Sequence, residues 1–422
     1  MFDARMRSNI YALYIVQGLN YALSLATTPF LTRMLEPTAY GQLSVAFAAI
    51  TYGVLFTDFG FNLSATREIS VVRDDPVAVA RIFWRVNVAK TILMLLSCFA
   101  LTILTFSIPD WRAIAPVYLF SLLYIVSSVF FPIWYFQGFE EFRIAALLTV
   151  VSRAAMLGFL LYFVNGPADV ALAVLLQAAP QILAGALWWC SGWGLPRPAW
   201  VKPDWADIRI SLRAGWPFFL SALATNLYIT STAVILGFFA PLAQVGFFAA
   251  VMKLVYPVQG LLGPLVQATY PRISQLAVTD KAAAYGLIKK AFYLQGAGGL
   301  MLTLILMLGA PWIAPLMFGA GMVDAVEVLF WLSPVVLFGA LANVFGTQSL
   351  IPFGQERYFS RVLIAAGLLH VSLLTLVLSG VLPWIDAERK AMHAGQVVTL
   401  IELLIVCAFA WRARVLHRSL SK

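Results

Sequence analysis

Apolar and polar positions follow one another along this chain in long blocks. Apolar runs of about 20 residues, the length that a membrane-spanning helix needs, recur from end to end with mostly short polar connections. The pattern predicts an all-α polytopic membrane protein. We predict twelve transmembrane helices, at residues 9–32, 42–64, 83–107, 114–137, 142–164, 168–190, 214–237, 243–268, 286–309, 325–349, 361–382 and 393–411.

The longest polar interruption falls at the midpoint of the chain, at residues 193–213. It predicts a cytoplasmic linker between two pseudo-symmetric six-helix bundles, residues 1–192 and residues 214–422, arranged around a central cavity. The prolines and basic residues that mark this linker are Pro196, Arg197, Pro198, Lys202 and Pro203.

A weak internal repeat supports two related halves, a plan common in membrane transporters. The stretch from Glu36 to Ser70 has a looser copy from Ala240 to Ser274, with the spacing shifted by one residue in places. The positions Pro37, Ala39, Gly41, Ala65, Thr66, Ile69 and Ser70 recur as Pro241, Ala243, Gly246, Ala268, Thr269, Ile273 and Ser274.

Composition and charge agree with membrane insertion. The chain of 422 residues is 62% hydrophobic and only 11% charged, whereas soluble domains carry roughly 25% charged residues. Most of its 28 Lys and Arg residues fall on the side that holds both termini, and the positive-inside rule makes that side cytoplasmic. The net charge of +9 lies between apolar segments, so it indicates topology and anionic lipid rather than nucleic acid. We expect the first helix to stay as an anchor, because no cleavage site for a signal peptide is evident.

Ionisable side chains inside the predicted helices are the candidate functional residues. Each costs at least about 2.5–3.5 kcal/mol at mid-depth, so it usually faces a cavity or a partner. Arg153 and Lys253 lie about ten residues into their helices, near the bilayer midplane at about 1.5 Å per residue. Lys90 and Asp58 are shallower, in the cytoplasmic halves of helices 3 and 2, and Glu402 is near the middle of helix 12.

Two interpretations of these residues stay open. A wet, net cationic cavity would suit an anionic substrate, and phosphate is the obvious group for Lys and Arg. Alternatively, the polar groups hold helices together, with Asp58 paired to Lys90. Asp58 and Glu402 are the candidates for ion coupling or for a structural ion pair. Further candidates for the cavity are Arg33, Gln17, Asn20 and Asn226, and other amides within the spans are Asn87, Gln177, Asn343 and Gln348.

Proline and glycine cluster most densely in predicted helix 8. Pro257, Gly260 and Pro264 predict a hinge there.

The sequence offers no catalytic chemistry. The histidines His370, His393 and His417 form no metal pair and no nucleophile–base set, and Cys98, Cys190 and Cys407 lack metal spacing. Phosphate-binding and dinucleotide-binding glycine motifs are absent. We therefore predict no metal, no cofactor and no enzyme activity, and an energy source other than ATP for any uphill transport.

Several motifs, in order, resemble the Wzx-type polysaccharide flippases of the multidrug/oligosaccharidyl-lipid/polysaccharide exporter superfamily. They cover most of the chain up to about residue 275. The motif segments are 29–35, Tyr40-Gly41, Asp58-Phe59-Gly60-Phe61, Ala65-Thr66-Arg67-Glu68, 134–140 followed by Arg153, Gly246-Phe247-Phe248-Ala249-Ala250, Lys253-Leu254 and Pro271-Arg272-Ile273-Ser274.

The resemblance implies alternating access in a bacterial inner membrane. The activity would be flipping an undecaprenyl-diphosphate-linked oligosaccharide from the cytoplasmic to the periplasmic leaflet for O-antigen or exopolysaccharide biosynthesis. A polysaccharide polymerase and a chain-length regulator are candidate partners. Asp58, Arg153 and Lys253 are the residues carried over from the family motifs. One departure concerns helix 7, where many relatives carry an Asp and this chain has Thr230-Ser231-Thr232.

Three other functions remain as alternatives. A small-molecule or drug exporter of the same superfamily would favour buried acids over buried bases. A membrane glycan polymerase usually carries a large periplasmic loop, whereas the outside loops predicted here are short. A peptidoglycan-precursor flippase typically has helices beyond twelve.

Overall fold

The computed structural model describes residues 4–192, 195, 197–381 and 386–420. Within these ranges nearly all residues are helical and none is in a strand. Hydrocarbon offers no hydrogen-bond partner to the backbone, so a spanning segment satisfies its own N–H and C=O groups by forming a helix. The predicted all-α membrane fold is confirmed.

The described residues of the first part of the chain form nine α-helices and one short 3₁₀ turn, Pro167–Asp169. The α-helices are α1 (Ala4–Asp58), α2 (Phe61–Val72), α3 (Pro76–Ser107), α4 (Pro109–Ala113), α5 (Ala115–Phe130), α6 (Ile133–Gly138), α7 (Phe142–Phe163), α8 (Val170–Ser191) and α9 (Trp205–Ile229).

In the remainder, the residues that the structure describes form eight α-helices with a π-helical turn, Asn343–Thr347, and 3₁₀ turns at Ile351–Phe353 and Ala387–Arg389. The α-helices are α10 (Ser231–Phe239), α11 (Leu242–Gly260), α12 (Gly263–Thr279), α13 (Lys281–Phe318), α14 (Ala325–Leu332), α15 (Pro334–Ala342), α16 (Glu356–Leu378) and α17 (Lys390–Leu420).

Nine helical stretches within the described ranges are long and apolar enough to cross a membrane, or ten if the bent pair Trp205–Leu227 and Ser231–Phe239 forms one span. One of the nine, Ala22–Val72, contains the predicted segment 42–64 and the last part of the predicted segment 9–32. These two segments are separated at Glu36, where the backbone leaves helical geometry with φ 60°. The chain is thus a multi-pass membrane protein, and the number twelve stays a prediction.

Helix α9 begins at Trp205, inside the predicted linker, because its first turn is capped. The Oδ1 atom of Asp204 accepts a hydrogen bond from the Asp207 backbone N at 2.7 Å, and Oδ2 of Asp207 accepts one from the Asp204 backbone N at 3.3 Å. Two amides that a helix N-terminus leaves unsatisfied are bonded in this reciprocal way. Ile208 is buried in the neighbouring aromatic core, which fixes the capped turn in place.

The contacts divide the chain into two compact units. The first unit is Met1–Phe30 with Gln42–Leu223, and the second is Leu31–Gly41 with Ala224–Lys422. In the first unit, aromatic side chains that are at most 1% exposed form the centre of a core; they are Phe61, Phe83, Trp134, Tyr135, Phe136 and Trp188. The domain limits 1–192, 193–213 and 214–422 stay a prediction.

The sequence repeat has a counterpart in side-chain contacts. In the first unit, the Thr66 hydroxyl on α2 donates to the Trp134 carbonyl at 3.1 Å and lies 3.5 Å from Oε1 of Gln137. In the second unit, the Thr269 hydroxyl on α12 donates to Oε1 of Gln348 at 2.9 Å. The repeated threonine thus meets a glutamine in both units.

Candidate functional site

Lys90 and Asp58 form a buried ion pair in the first unit. The Nζ atom of Lys90 lies 2.6 Å from Oδ1 of Asp58 and donates to the Ser128 carbonyl at 2.9 Å. The second carboxylate oxygen accepts from Nδ2 of Asn62 at 3.2 Å. The Lys90 side chain is 2% exposed and the Asp58 side chain 23%. Of the two interpretations of these charges, this geometry supports the pairing one, since the Lys90 charge is compensated locally.

Asp58 is placed by a break in the helix directly after it. Phe59 and Gly60 have positive φ angles of 41° and 78°. The Phe59 ring stacks on Phe219 with centroids 4.7 Å apart. A Cβ atom on Gly60 would lie 2.5 Å from the Gly215 carbonyl oxygen. The Asp-Phe-Gly motif therefore combines a charge that pairs, a ring that stacks and a residue without a side chain where α9 approaches.

Replacing Gly60 with Ala should destabilise the protein markedly. A positive φ costs a side-chain-bearing residue roughly 1–3 kcal/mol, and overpacking against the backbone of α9 adds about 1–3 kcal/mol. Gly354→Ala is the matched control, because Gly354 has φ 73° but open space around its Cβ position. Thermal unfolding of the detergent-solubilised variants should show the larger loss for Gly60→Ala. Equal losses would mean that crowding by Gly215 contributes nothing.

Arg153 is half-buried on α7, in the same part of the first unit as the Lys90–Asp58 ion pair. Its charge and that of Asp58 both act on the hydroxyl of Tyr124 on α5. The structure therefore brings Arg153, Asp58 and Lys90 into one region of the first unit. These three residues are two cations and one carboxylate, and the carboxylate is paired with Lys90.

Lys253 on α11 has a different environment in the second unit. Its Nζ atom lies 5.4 Å from the centre of the Tyr40 ring, in a cation–π arrangement. No ion pair joins Lys253 to an acidic side chain in the described part of the chain. A ring face attracts a cation without neutralising it. Half-buried and without an acidic partner among the described residues, Lys253 is a cation that an anion could meet.

Two glycines from the repeat hold Tyr40 and Lys253 together. A Cβ on Gly41 would collide with the Leu242 carbonyl, and a Cβ on Gly246 would collide with the Pro37 carbonyl. The backbones of the two repeated segments therefore touch reciprocally, which only residues without side chains permit. Tyr40 precedes one of these contacts and Lys253 follows the other by two turns of helix.

Other predicted residues of the second unit lie in separate contacts. Glu402, 8% exposed on α17, acts electrostatically on the half-buried Tyr256 of α11. Oδ1 of Asn226 accepts from the Thr230 hydroxyl at 3.0 Å. Arg33 is exposed and donates to the Leu316 carbonyl near the end of α13, where a cation is favoured by the helix dipole.

Three predicted hinge residues surround a break between α11 and α12. Gly260 is the last residue of α11, Pro257 lies one turn earlier, and Pro264 is near the start of α12. Leu261 and Leu262 lie between the two helices. Movement at this break stays a prediction. Gln17 and Asn20 belong to α1, but their side chains fall outside the described residues.

His370 on α16 is a buried polar residue that sequence reasoning did not select. It is 0% exposed, and its Nε2 atom lies 2.9 Å from the Thr232 hydroxyl on α10. Thr232 belongs to the Thr230-Ser231-Thr232 segment, and the polar contact there is made by a hydroxyl and an imidazole. The sequence does not reveal this role of His370, because Thr232 and His370 are 138 positions apart and meet only in the folded protein. No cluster of three His, Cys, Asp or Glu residues suited to a metal occurs within the described ranges.

The fold is shared with solved membrane transporters. The inward-facing conformation of a multidrug resistance MATE family transporter of the MOP superfamily superposes with a TM-score of 0.69 at 16% identity, covering 97% of this chain and 99% of that one. The lipid II flippase MurJ in an inward closed conformation gives a TM-score of 0.67 at 11% identity, covering 96% and 87%. At these identities the likeness defines the fold class alone.

Sequence comparison identifies the family. Residues 6–277 match the family described as "Polysaccharide biosynthesis protein". A protein of Escherichia coli (strain K12) named "Putative O-antigen transporter" is 34% identical over 405 residues, covering 95% of this chain and 96% of that protein. A protein of Shigella dysenteriae with the same name is 26% identical over 375 residues, covering 87% and 91%. The chain belongs to the polysaccharide biosynthesis protein family, which confirms the resemblance drawn from its motifs.

Proposed function

We propose that this protein flips an undecaprenyl-diphosphate-linked oligosaccharide from the cytoplasmic to the periplasmic leaflet of a bacterial inner membrane. The relatives named as O-antigen transporters support the class of cargo. The observation that carries the proposal is the charge of Lys253, half-buried in a helix of a membrane protein and unmatched by an acidic side chain among the described residues. A fixed cation of this kind suits a phosphate-bearing substrate.

The physical difficulty in this reaction is the diphosphate. Its charge cannot enter hydrocarbon unaided, because transfer of an unpaired ion out of water is prohibitive. Arg153 and Lys253, each within its own unit, are the cations that we assign to replacing the water around it. The polyprenyl tail stays in lipid while the head group moves. We assign both termini to the cytoplasmic side, and a polymerase and a chain-length regulator act on the delivered units.

A clean deletion followed by mass analysis of lipid-linked sugars and surface glycan tests this function. We expect complete undecaprenyl-diphosphate repeat units to accumulate and surface polymer to disappear, with recovery when the gene is restored. If single repeat units still reach the surface unpolymerised, the protein is a polymerase instead. If glycan is unchanged, export of small molecules replaces the flippase proposal.

A further inference from the structure

A groove separate from the residues discussed above opens in the second unit. It has a volume of about 630 Å³ and lies between the beginning of α13 and the last turns of α17. Its apolar lining includes Ile288, Phe292 and Phe345, and the rings of Phe292 and Phe345 pack 5.6 Å apart. Ile288 is anchored in a buried cluster with Ile273 and Val344. The lining is therefore a fixed apolar surface rather than a set of loose side chains.

Cationic side chains line the same groove. Lys289, Arg414 and His417 are lining residues, and all three are exposed. Among the described residues no acidic side chain lines the groove, and neither Lys289 nor Arg414 forms an ion pair with any of them. The groove thus combines an apolar floor with two uncompensated positive charges.

Tyr285 adds a polar group to the wall. Its ring stacks on Phe353 with centroids 5.2 Å apart and meets His417 edge-on at 4.3 Å. Its hydroxyl is buried and has no hydrogen-bond partner among the described residues. A buried hydroxyl without a partner costs about 1–3 kcal/mol, and a ligand with acceptor oxygens would remove that cost.

We propose that this groove binds an anionic phospholipid. Lys289 and Arg414 meet the headgroup phosphate, Tyr285 donates to a headgroup oxygen, and an acyl chain covers Phe292 and Phe345. Charge complementarity selects an anion, and the apolar floor selects an amphiphile over a free phosphate. Basic pockets between transmembrane helices on the cytoplasmic side commonly bind anionic headgroups, and the charge asymmetry predicts that these helix ends are cytoplasmic. The site is independent of the substrate residues assigned above.

Native mass spectrometry of the delipidated full-length protein in detergent tests whether Lys289 and Arg414 bind the lipid headgroup. Phosphatidylglycerol is compared with phosphatidylcholine of the same acyl chains. We expect phosphatidylglycerol to bind preferentially and the Lys289→Gln/Arg414→Gln variant to lose at least fivefold in its affinity. Lys290→Gln is the matched control, because Lys290 is an exposed neighbour on the same helix that does not line the groove. Equal binding of both lipids, or an equal loss in Lys290→Gln, would overturn the proposal.

A second variant tests the groove without removing a charge. A Cβ atom on Gly286, a lining residue, meets nothing within 4 Å, so Gly286→Trp should fill the groove and leave the fold intact. We expect this variant to lose phosphatidylglycerol binding and Gly286→Ala to keep it. Retained binding in Gly286→Trp would contradict the site. Two competitors distinguish other occupants: displacement by inorganic phosphate alone, or by undecaprenyl phosphate at lower concentration than phosphatidylglycerol, would each overturn the assignment.

Discussion

Replacing Lys90 with Met is expected to lower the free energy of unfolding by about 3–5 kcal/mol, the usual cost of removing one partner from a buried ion pair. Lys90 is 2% exposed, and its ammonium group contacts both Asp58 and the Ser128 carbonyl. Methionine keeps most of the length of the side chain but leaves the Asp58 carboxylate without its counter-ion. Chemical unfolding of the purified protein in detergent measures the loss.

The double variant Asp58→Asn/Lys90→Met separates lost pairing from lost packing. Removing both charges takes away the uncompensated carboxylate, so most of the stability should return. Lys290→Met, at an exposed position, is the control and should change stability little. A double variant as unstable as Lys90→Met would show that packing around Lys90, and not the ion pair, dominates. A stable double variant that still transports would show that Asp58 is structural and not an ion-coupling residue.

Much of the fold follows from the sequence because the bilayer leaves few choices. An apolar run of spanning length must form a helix, so the described residues of each predicted segment lie mainly in helices. The residues at which the helices begin and end were less predictable. Helix α13 runs from Lys281 to Phe318, beyond the predicted 286–309, because backbone bonding continues where hydropathy falls. The break at Phe59 and Gly60 depends on the approach of Gly215, which lies far away in sequence.

The sequence selects the candidate site residues but leaves most of their partners open. Burial cost selects Lys90, Arg153 and Lys253, and the sequence offers the pairing of Lys90 with Asp58 only as one of two interpretations. Asp58 and Lys90 are 32 positions apart, so helix packing has to bring them together. The same holds for Tyr40 beside Lys253 and for His370 beside Thr232. Polar residues in a membrane protein can thus be found from sequence, while their partners require tertiary structure.

Replacing Lys253 with Gln is expected to reduce transport at least tenfold with little loss of stability. The fold loses only a cation–π contact, about 0.5–2 kcal/mol, because the variant leaves no carboxylate unpaired among the described residues. The protein would lose a positive charge that offsets the negative charge of the substrate's diphosphate. Complementation of the deletion strain, with surface glycan and lipid-linked repeat units both quantified, measures transport, and the amount of membrane-inserted protein measures folding. Lys253→Arg keeps the charge and should retain part of the activity.

Lys253 and Lys90 should then show opposite signatures, which distinguishes a substrate cation from a structural one. Lys90→Met lowers stability and is rescued by removing Asp58, whereas Lys253→Gln keeps its stability and has no such rescue. Tyr40→Phe preserves the ring beneath Lys253 and should leave transport unchanged, so a loss confined to Lys253→Gln is due to the charge. Arg153→Gln makes the same comparison of stability and transport for the cation that lies in the same part of the first unit as Asp58. Unchanged surface glycan with Arg153 and Lys253 both replaced by Gln would show that neither carries the diphosphate, even if the deletion abolishes transport.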